Sequence, residues 1–167
     1  MARLFFAVWP GSAAPALARL GSDLALVAQG KAVPQEKIHL TLAFLGEVGE
    51  ALAGVHEAAR EVAFGRFSFT LDRVGSFRAA RVAWAGCAEV PQPLAALQSA
   101  LAGRLRAARF RLEERPFAPH ATLARRIRRP APIAAIDPVA WRVDAFTLVR
   151  SVTGQGRYEV LEEYRAG

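Results

Sequence analysis

An α+β fold of two lobes, each an antiparallel sheet with its helices outside, is what this sequence predicts, on three observations. First, His39-Leu40-Thr41-Leu42-Ala43-Phe44 and His120-Ala121-Thr122-Leu123-Ala124-Arg125 rhyme, 81 residues apart at comparable points of the two halves of the 167-residue chain. Second, stretches with apolar residues at helical spacing alternate with stretches of strand type, in the order β-α-β-α-ββ-α-β-β-β. Each rhyming strand follows a helix, so the order reads as an imperfect internal duplication with a cleft between the two rhyming strands. Third, 53% of the residues are hydrophobic, enough for a real core and too many for disorder. One unit spanning 1–167 is expected, with a soft internal boundary near residue 90 and no linker.

The elements follow in order. Residues 3–9 read as a buried strand closed by Pro10-Gly11. Ser12 caps a helix to about Ala28, with Leu17, Leu20, Leu24 and Val27 on one stripe and Gly30 as its stop. Val33-Pro34 opens an extended approach to the first rhyming strand, 38–44. Gly46 and Gly49 flank a turn into a helix over 50–63. Strands follow at 67–71 and 81–86, with Gly75-Ser76 between them. Pro91-Gln92-Pro93 opens a third helix to about Ala108, its inner face Leu94, Leu97, Leu101 and Leu105. The second rhyming strand covers 119–124. Prolines at 130, 132 and 138 mark a long loop. Two strands close the chain, 141–149 and 157–164, joined by the turn Thr153-Gly154-Gln155-Gly156.

Composition bounds the setting. No apolar run approaches the roughly 18 to 20 residues that cross a bilayer. The N-terminal run is six residues long before Pro10 and lacks a cleavage site, so it reads as a strand and not a signal peptide. Cys87 is the single cysteine, which excludes an intramolecular disulfide and a thiolate cluster. A cytoplasmic monomer is expected. The net charge of +7 is concentrated: nine arginines lie between Arg104 and Arg129 against Glu113 and Glu114, leaving the rest of the chain balanced. Such a segment fits a polyanionic partner. The chain also holds 20 arginines against two lysines, so charge alone decides little.

Strand periodicity puts His39, Thr41 and Ala43 on one side of the first strand, and His120, Thr122 and Ala124 on one side of the second. If the apolar alternates fill the core, the His-Thr face is open. Phe44 and Arg125 then lie on the wrong side unless each strand bends or bulges at its end, and Gly46 makes a bend easy. Two imidazoles flanking a phosphorus supply a general acid and a general base near neutral pH. Threonine hydroxyls and a guanidinium donate to phosphate oxygens. No metal is needed, and neither motif carries a carboxylate or thiolate at ligand spacing. Phosphodiester chemistry without metal or cofactor is the expectation.

The residues H-L-T-L-A-F-L-G (39–46) and R-P-F-A-P-H-A-T-L-A-R (115–125) resemble the paired signatures of the two-histidine phosphoesterases. More narrowly, the chain resembles the RNA 2′,3′-cyclic phosphodiesterase family, also called 2′-5′ RNA ligases. The opening Arg3-Leu4-Phe5-Phe6-Ala7-Val8 and the closing Arg157-Tyr158 fit as well. The resemblance implies a pseudo-twofold bilobal fold with both His-Thr pairs in a central cleft. It implies hydrolysis of a 2′,3′-cyclic phosphate at a single-stranded or tRNA-like RNA end to a 2′-phosphate. His39 would protonate the departing O3′, and His120 would activate water. Thr41, Thr122 and Arg125 would bind the phosphate, and Phe44 would stack on the terminal base.

Other residues read plainly. His56 belongs to a helix face, Cys87 to a strand core, and Trp84 and Trp141 to the core. Arg126, Arg128 and Arg129 extend the anion-binding surface, and Tyr158 is a marginal candidate for the cleft wall. Three alternatives stand beside the hydrolase. One is a reversible 2′-5′ RNA ligase that uses a 5′-hydroxyl in place of water. Another is an enzyme for a different cyclic nucleotide or a cyclic ADP-ribose-type substrate. The third is a non-catalytic single-stranded RNA-binding module.

Overall fold

In the computed structural model, which describes residues 2–152 and 154–167, the alternating segments form strands β1 (Ala2–Val8), β2 (Lys31–Ala32), β3 (Leu40–Gly46), β4 (Phe67–Phe77) and β5 (Val82–Gly86). They continue as β6 (His120–Arg125), β7 (Ala134–Val143), β8 (Ala145–Val152) and β9 (Arg157–Arg165). Helices α1 (Ala14–Ala28), α2 (Leu52–Arg60) and α3 (Gln92–Ala107) intervene. The strand pairs are antiparallel, and the order β7-β4-β5-β6-β3-β1-β8-β9, with β2 beside β6, makes one hydrogen-bonded sheet.

The α+β class holds, but the two expected sheets are joined. The seam is narrow: β3 and β6 pair at Leu40↔Ala121 alone, and both residues are fully buried. Unpaired strand edges at this depth would leave backbone groups without partners, so the two strands meet.

The helices cover one face of the sheet and cross the seam. Helix α1 packs on β6, while α3 packs on β3 and against α2. Leu94, Leu97, Leu101 and Leu105 are all buried, as their spacing predicts, and join Leu17, Phe6, Leu40, Leu123 and Trp141 in one continuous core. On α1 the buried stripe is Leu17, Gly21, Leu24 and Ala28, and Val27 is exposed. Helix-sheet proximity selects this stripe over the bulkier one: a Cβ on Gly21 would stand 2.8 Å from the carbonyl oxygen of Leu123.

Several boundaries differ from the sequence reading. Ser12 sits in a 3-10 turn and caps nothing; the N-cap of α1 is Ala13. Gln29 supplies the left-handed residue that ends α1, at φ 55°, and Gly30 serves close packing instead. Helix α2 starts at Leu52 because Gly49–Ala51 forms a 3-10 turn.

Gly75-Ser76 lies within β4 and makes no turn. Gly75 pairs with Trp84, whose ring fills the place where a Cβ would go. The expected loop through Asp137-Pro138 is strand β7. It is an edge strand, and its pairing with β4 is interrupted between Leu71 and Arg73, which accommodates a proline that cannot donate to a ladder. The expected strand 141–149 breaks at Asp144, where the chain leaves β4 at one edge and joins β1 in the other half. In the closing turn, Thr153 lies outside the described residues.

Candidate active site

The register at the seam places the motif residues. With Leu40 opposite Ala121, antiparallel pairing sets His39 across from Thr122 and His120 across from Thr41. All four face away from the two buried apolar residues, onto the side of the sheet that carries no helix. All four side chains are half-buried. The two histidines occupy diagonal corners of this block, positions about 7–8 Å apart in a regular ladder.

Phe44 and Arg125 reach the same face through a bulge inside each strand, earlier than the strand-end bends that the sequence led us to expect. In β3 the pairs Phe6↔Ala43 and Ala7↔Thr41 leave Leu42 as an extra residue. In β6 the pairs Ala83↔Ala124 and Trp84↔Thr122 leave Leu123 extra. Each bulge stands three residues after its histidine and reverses the side-chain parity beyond it. Phe44 therefore faces as Thr41 does and is 51% exposed, and Arg125 faces as Thr122 does. The displaced backbone is satisfied on both strands. Gln98 of α3 donates to the Leu42 carbonyl at 3.3 Å, and the Val33 amide donates to the Leu123 carbonyl at 2.9 Å. Past the bulges the chain turns at Gly46 (φ 68°) and at Arg126 (φ 56°).

Both imidazoles are held in the same way. The Nδ1 atom of His39 lies 2.7 Å from the Lys37 carbonyl, and that of His120 lies 2.8 Å from the Ala118 carbonyl. A carbonyl only accepts, so each Nδ1 carries a proton and each Nε2 is the atom left for chemistry.

The surroundings differ. His39 stacks on Phe5 at 4.9 Å and meets Trp9 at 5.4 Å and Tyr158 edge-on at 5.5 Å. Trp9 is fixed by an indole hydrogen bond to the Thr147 hydroxyl at 2.7 Å. His120 has Phe77 edge-on at 5.0 Å, and Phe77 rests against Trp84 at 5.4 Å. Burial lowers the His39 pKa below its usual value near 6.5; the Lys37 carbonyl opposes this, and the nearby charges of Arg125 and His120 add to it.

A stability prediction follows from that direction. Between the lowered folded value and about 6.5, the unfolded chain binds more protons at His39 than the folded chain does. This contribution is therefore complete above pH 6.5 and lost as pH falls below it. Denaturant titrations at pH 7.5 and pH 5.5 are expected to show a smaller acid loss for His39→Gln than for the wild type. An equal loss in both proteins would refute the assignment.

Of the other residues weighed, Trp141 is fully buried and stacks on Phe69, as its core role requires. Trp84 instead faces the histidine side, lying over Gly75 and Gly86. His56 is pinned to β9, its Nδ1 2.7 Å from the Glu162 carboxylate and 2.9 Å from the Tyr164 hydroxyl. Cys87 follows β5 and donates to the Thr70 carbonyl; burial first, then Asp72, pushes its thiol up to about 11. Tyr158 does border His39, with the Lys37 ammonium 5.6 Å over its ring. Phe5, Trp9 and Phe77 were missed, because nothing local marks them. Among the described residues, no helix is long and apolar enough to cross a membrane, and no three His, Cys, Asp or Glu side chains gather as a metal site.

Known proteins resemble this chain in sequence and in fold. The RNA 2′,3′-cyclic phosphodiesterase of Escherichia coli is 34% identical over 137 residues, covering 77% of this chain and 74% of that protein. The protein of the same name from Thermus thermophilus is 33% identical, covering 97% and 89%. The crystal structure of Escherichia coli LigT complexed with 3′-AMP superposes with a TM-score of 0.83 at 31% identity, covering 98% of this chain and 97% of that one. The model of the 2′-5′ RNA ligase superfamily matches residues 9–155. The family model spanning residues 9–155, with relatives 33–34% identical over most of their length, makes this protein a member of the 2′-5′ RNA ligase superfamily.

Proposed function

We propose that the protein hydrolyses 2′,3′-cyclic phosphate ends of RNA to 2′-phosphomonoesters, with His39 and His120 as its acid-base pair. The observation that carries the reading is the shared tethering of the two rings: each Nδ1 is bound to a carbonyl two residues back. Both Nε2 atoms are thereby available on one face. The names of the relatives support the substrate class, and the duplicated motif supports a pseudo-twofold cleft between two lobes of one domain.

The phosphate sits between the histidines. Nε2 of His120 takes a proton from water as the water oxygen bonds to phosphorus. The P–O3′ bond breaks, and Nε2 of His39 gives its proton to O3′, leaving a 2′-phosphate beside a free 3′-hydroxyl. A low pKa makes a protonated His39 a strong donor, and the bound phosphate anion helps it hold the proton until transfer. Thr41 and Thr122 donate to the non-bridging oxygens. Arg125 meets the charge that develops there, and Phe44 stacks on the terminal base. The protein works as a cytoplasmic monomer, without metal or cofactor.

The test is a short RNA with a 2′,3′-cyclic end, incubated with the protein in EDTA, with the phosphate position of the product determined. A 2′-phosphate product is expected. A 3′-phosphate product, or turnover that EDTA abolishes, would overturn the reading. Adding RNA with a free 5′-hydroxyl tests the ligase alternative, and binding without turnover would identify an RNA-binding module.

A further inference from the structure

Beyond the end of β6 lies an open cavity of about 460 Å³ lined by Arg78, Arg81, Arg128 and Arg129 together with Ile127 and Pro130. It forms between the turn that joins β4 to β5 and the segment that follows Arg125. The walls are fixed by backbone. Ile127 and Arg81 exchange contacts, the amide of Ile127 reaching the Arg81 carbonyl at 3.1 Å and the Arg81 Nε reaching the Ile127 carbonyl at 3.2 Å. The amides of Arg128 and Arg129 both donate to the Ala28 carbonyl, at 2.8 and 3.0 Å. Arg81 and Arg126 adopt left-handed conformations at φ 55° and 56°, an uncommon geometry for a non-glycine residue.

Convergence sets this cluster apart. Nine other arginines pair with carboxylates, among them Arg60, Arg104 and Arg150. Among the described residues, none of the four cavity arginines has a carboxylate partner, nor do Arg125 and Arg126. Arg3, Arg19, Arg106, Arg109 and Arg111 also lack a carboxylate partner among the described residues, but they do not line this cavity. Four exposed guanidinium groups around one cavity repel one another and gain most from an anion that bridges them. The cavity adjoins the site along the chain: Phe77, 38% exposed, lies edge-on to His120 and directly precedes Arg78, which lines the cavity. An exposed ring followed by basic residues is the pattern that takes a base and its backbone phosphate from a single strand.

We propose that this cavity is a second nucleotide subsite, in which the arginines hold the backbone phosphate upstream of the cyclic end and Phe77 stacks on the neighbouring base. The inference rests on the proposed RNA chemistry and deepens it: the substrate is an oligonucleotide, not a mononucleotide.

The experiment compares kcat/KM for a mononucleoside 2′,3′-cyclic phosphate and for a trinucleotide with the same end, in the wild type and in the double variant Arg78→Gln/Arg81→Gln. The wild type is expected to favour the trinucleotide at least tenfold. The double variant should lose most of that preference while keeping mononucleotide turnover within about twofold, and its trinucleotide KM should rise less steeply with salt. Equal losses on both substrates, or a wild type indifferent to length, would overturn the subsite. If the wild type turns over neither substrate, the hydrolase reading fails instead. Fluorescence anisotropy with a labelled trinucleotide then decides the subsite separately: weaker binding by the double variant supports it, and unchanged binding removes it.

Discussion

Replacement of either histidine with alanine is expected to lower kcat/KM on a cyclic-phosphate RNA end by about 10²- to 10⁴-fold, the range that general acid-base groups contribute. The two sites share one tether geometry but differ in support, so the two variants should differ in stability. His39 packs against Phe5, Trp9 and Tyr158, and removing its ring opens a gap in an aromatic cluster. His120 has Phe77 alone among the described rings. His39→Ala should therefore melt at a lower temperature than His120→Ala, while both lose turnover. The double variant should be little slower than the slower single one, because the two groups act on one proton-transfer sequence. Near-wild-type turnover in either single variant would dismiss the paired mechanism.

The largest effect expected away from the histidines is at Gly30. A Cβ there would stand 2.7 Å from the Arg125 carbonyl oxygen, 2.7 Å from Cγ2 of Ile127 and 3.1 Å from its Cα. Two of those atoms belong to backbone and cannot swing aside. Gly30→Ala must push the end of α1 off the strand that carries Arg125, at a cost of about 1–3 kcal/mol. The same displacement moves Arg125, so substrate KM should rise along with the loss of stability. Gly103→Ala is the control. It lies in the middle of α3 with nothing within 4 Å of the added carbon, and should stabilise by about 0.5–1 kcal/mol. Thermal melts of the two variants should thus move in opposite directions. A Gly30→Ala protein as stable as the wild type would show that the helix end is not packed as described.

The contrast between these glycines shows what a sequence does and does not disclose. The two His-Thr pairs were readable because strand periodicity is strict and because histidine and threonine are rarely placed so without purpose. The leucine stripe of α3 was readable for the same reason, as 94, 97, 101 and 105 fit one helical face. The bulges at Leu42 and Leu123 were not. Leu-Ala fits either side of a strand, and the residues that satisfy the displaced carbonyls, Gln98 and Val33, lie far away in the chain. Strand β7 was hidden by its prolines, whose cost disappears at a sheet edge. The aromatic walls of the site come from three strands far apart in the chain, β1 with its flank, β4 and β9, so no local pattern announces Phe5, Trp9, Phe77 or Tyr158. In the sequence Gly30 reads as a helix stop because close packing and helix termination both select glycine.

The crossing of helices over the seam bears on synthesis. The ribosome releases β1, α1 and β3 well before α3, which covers β3, and before β6, on which α1 lies. A nascent chain that has emerged only as far as about residue 90 would thus expose an apolar helix stripe and an apolar strand, each still waiting for its mate. Stable structure should accumulate only once β6 has left the exit tunnel, and nascent chains stalled before that point should be protease-sensitive and prone to capture by chaperones.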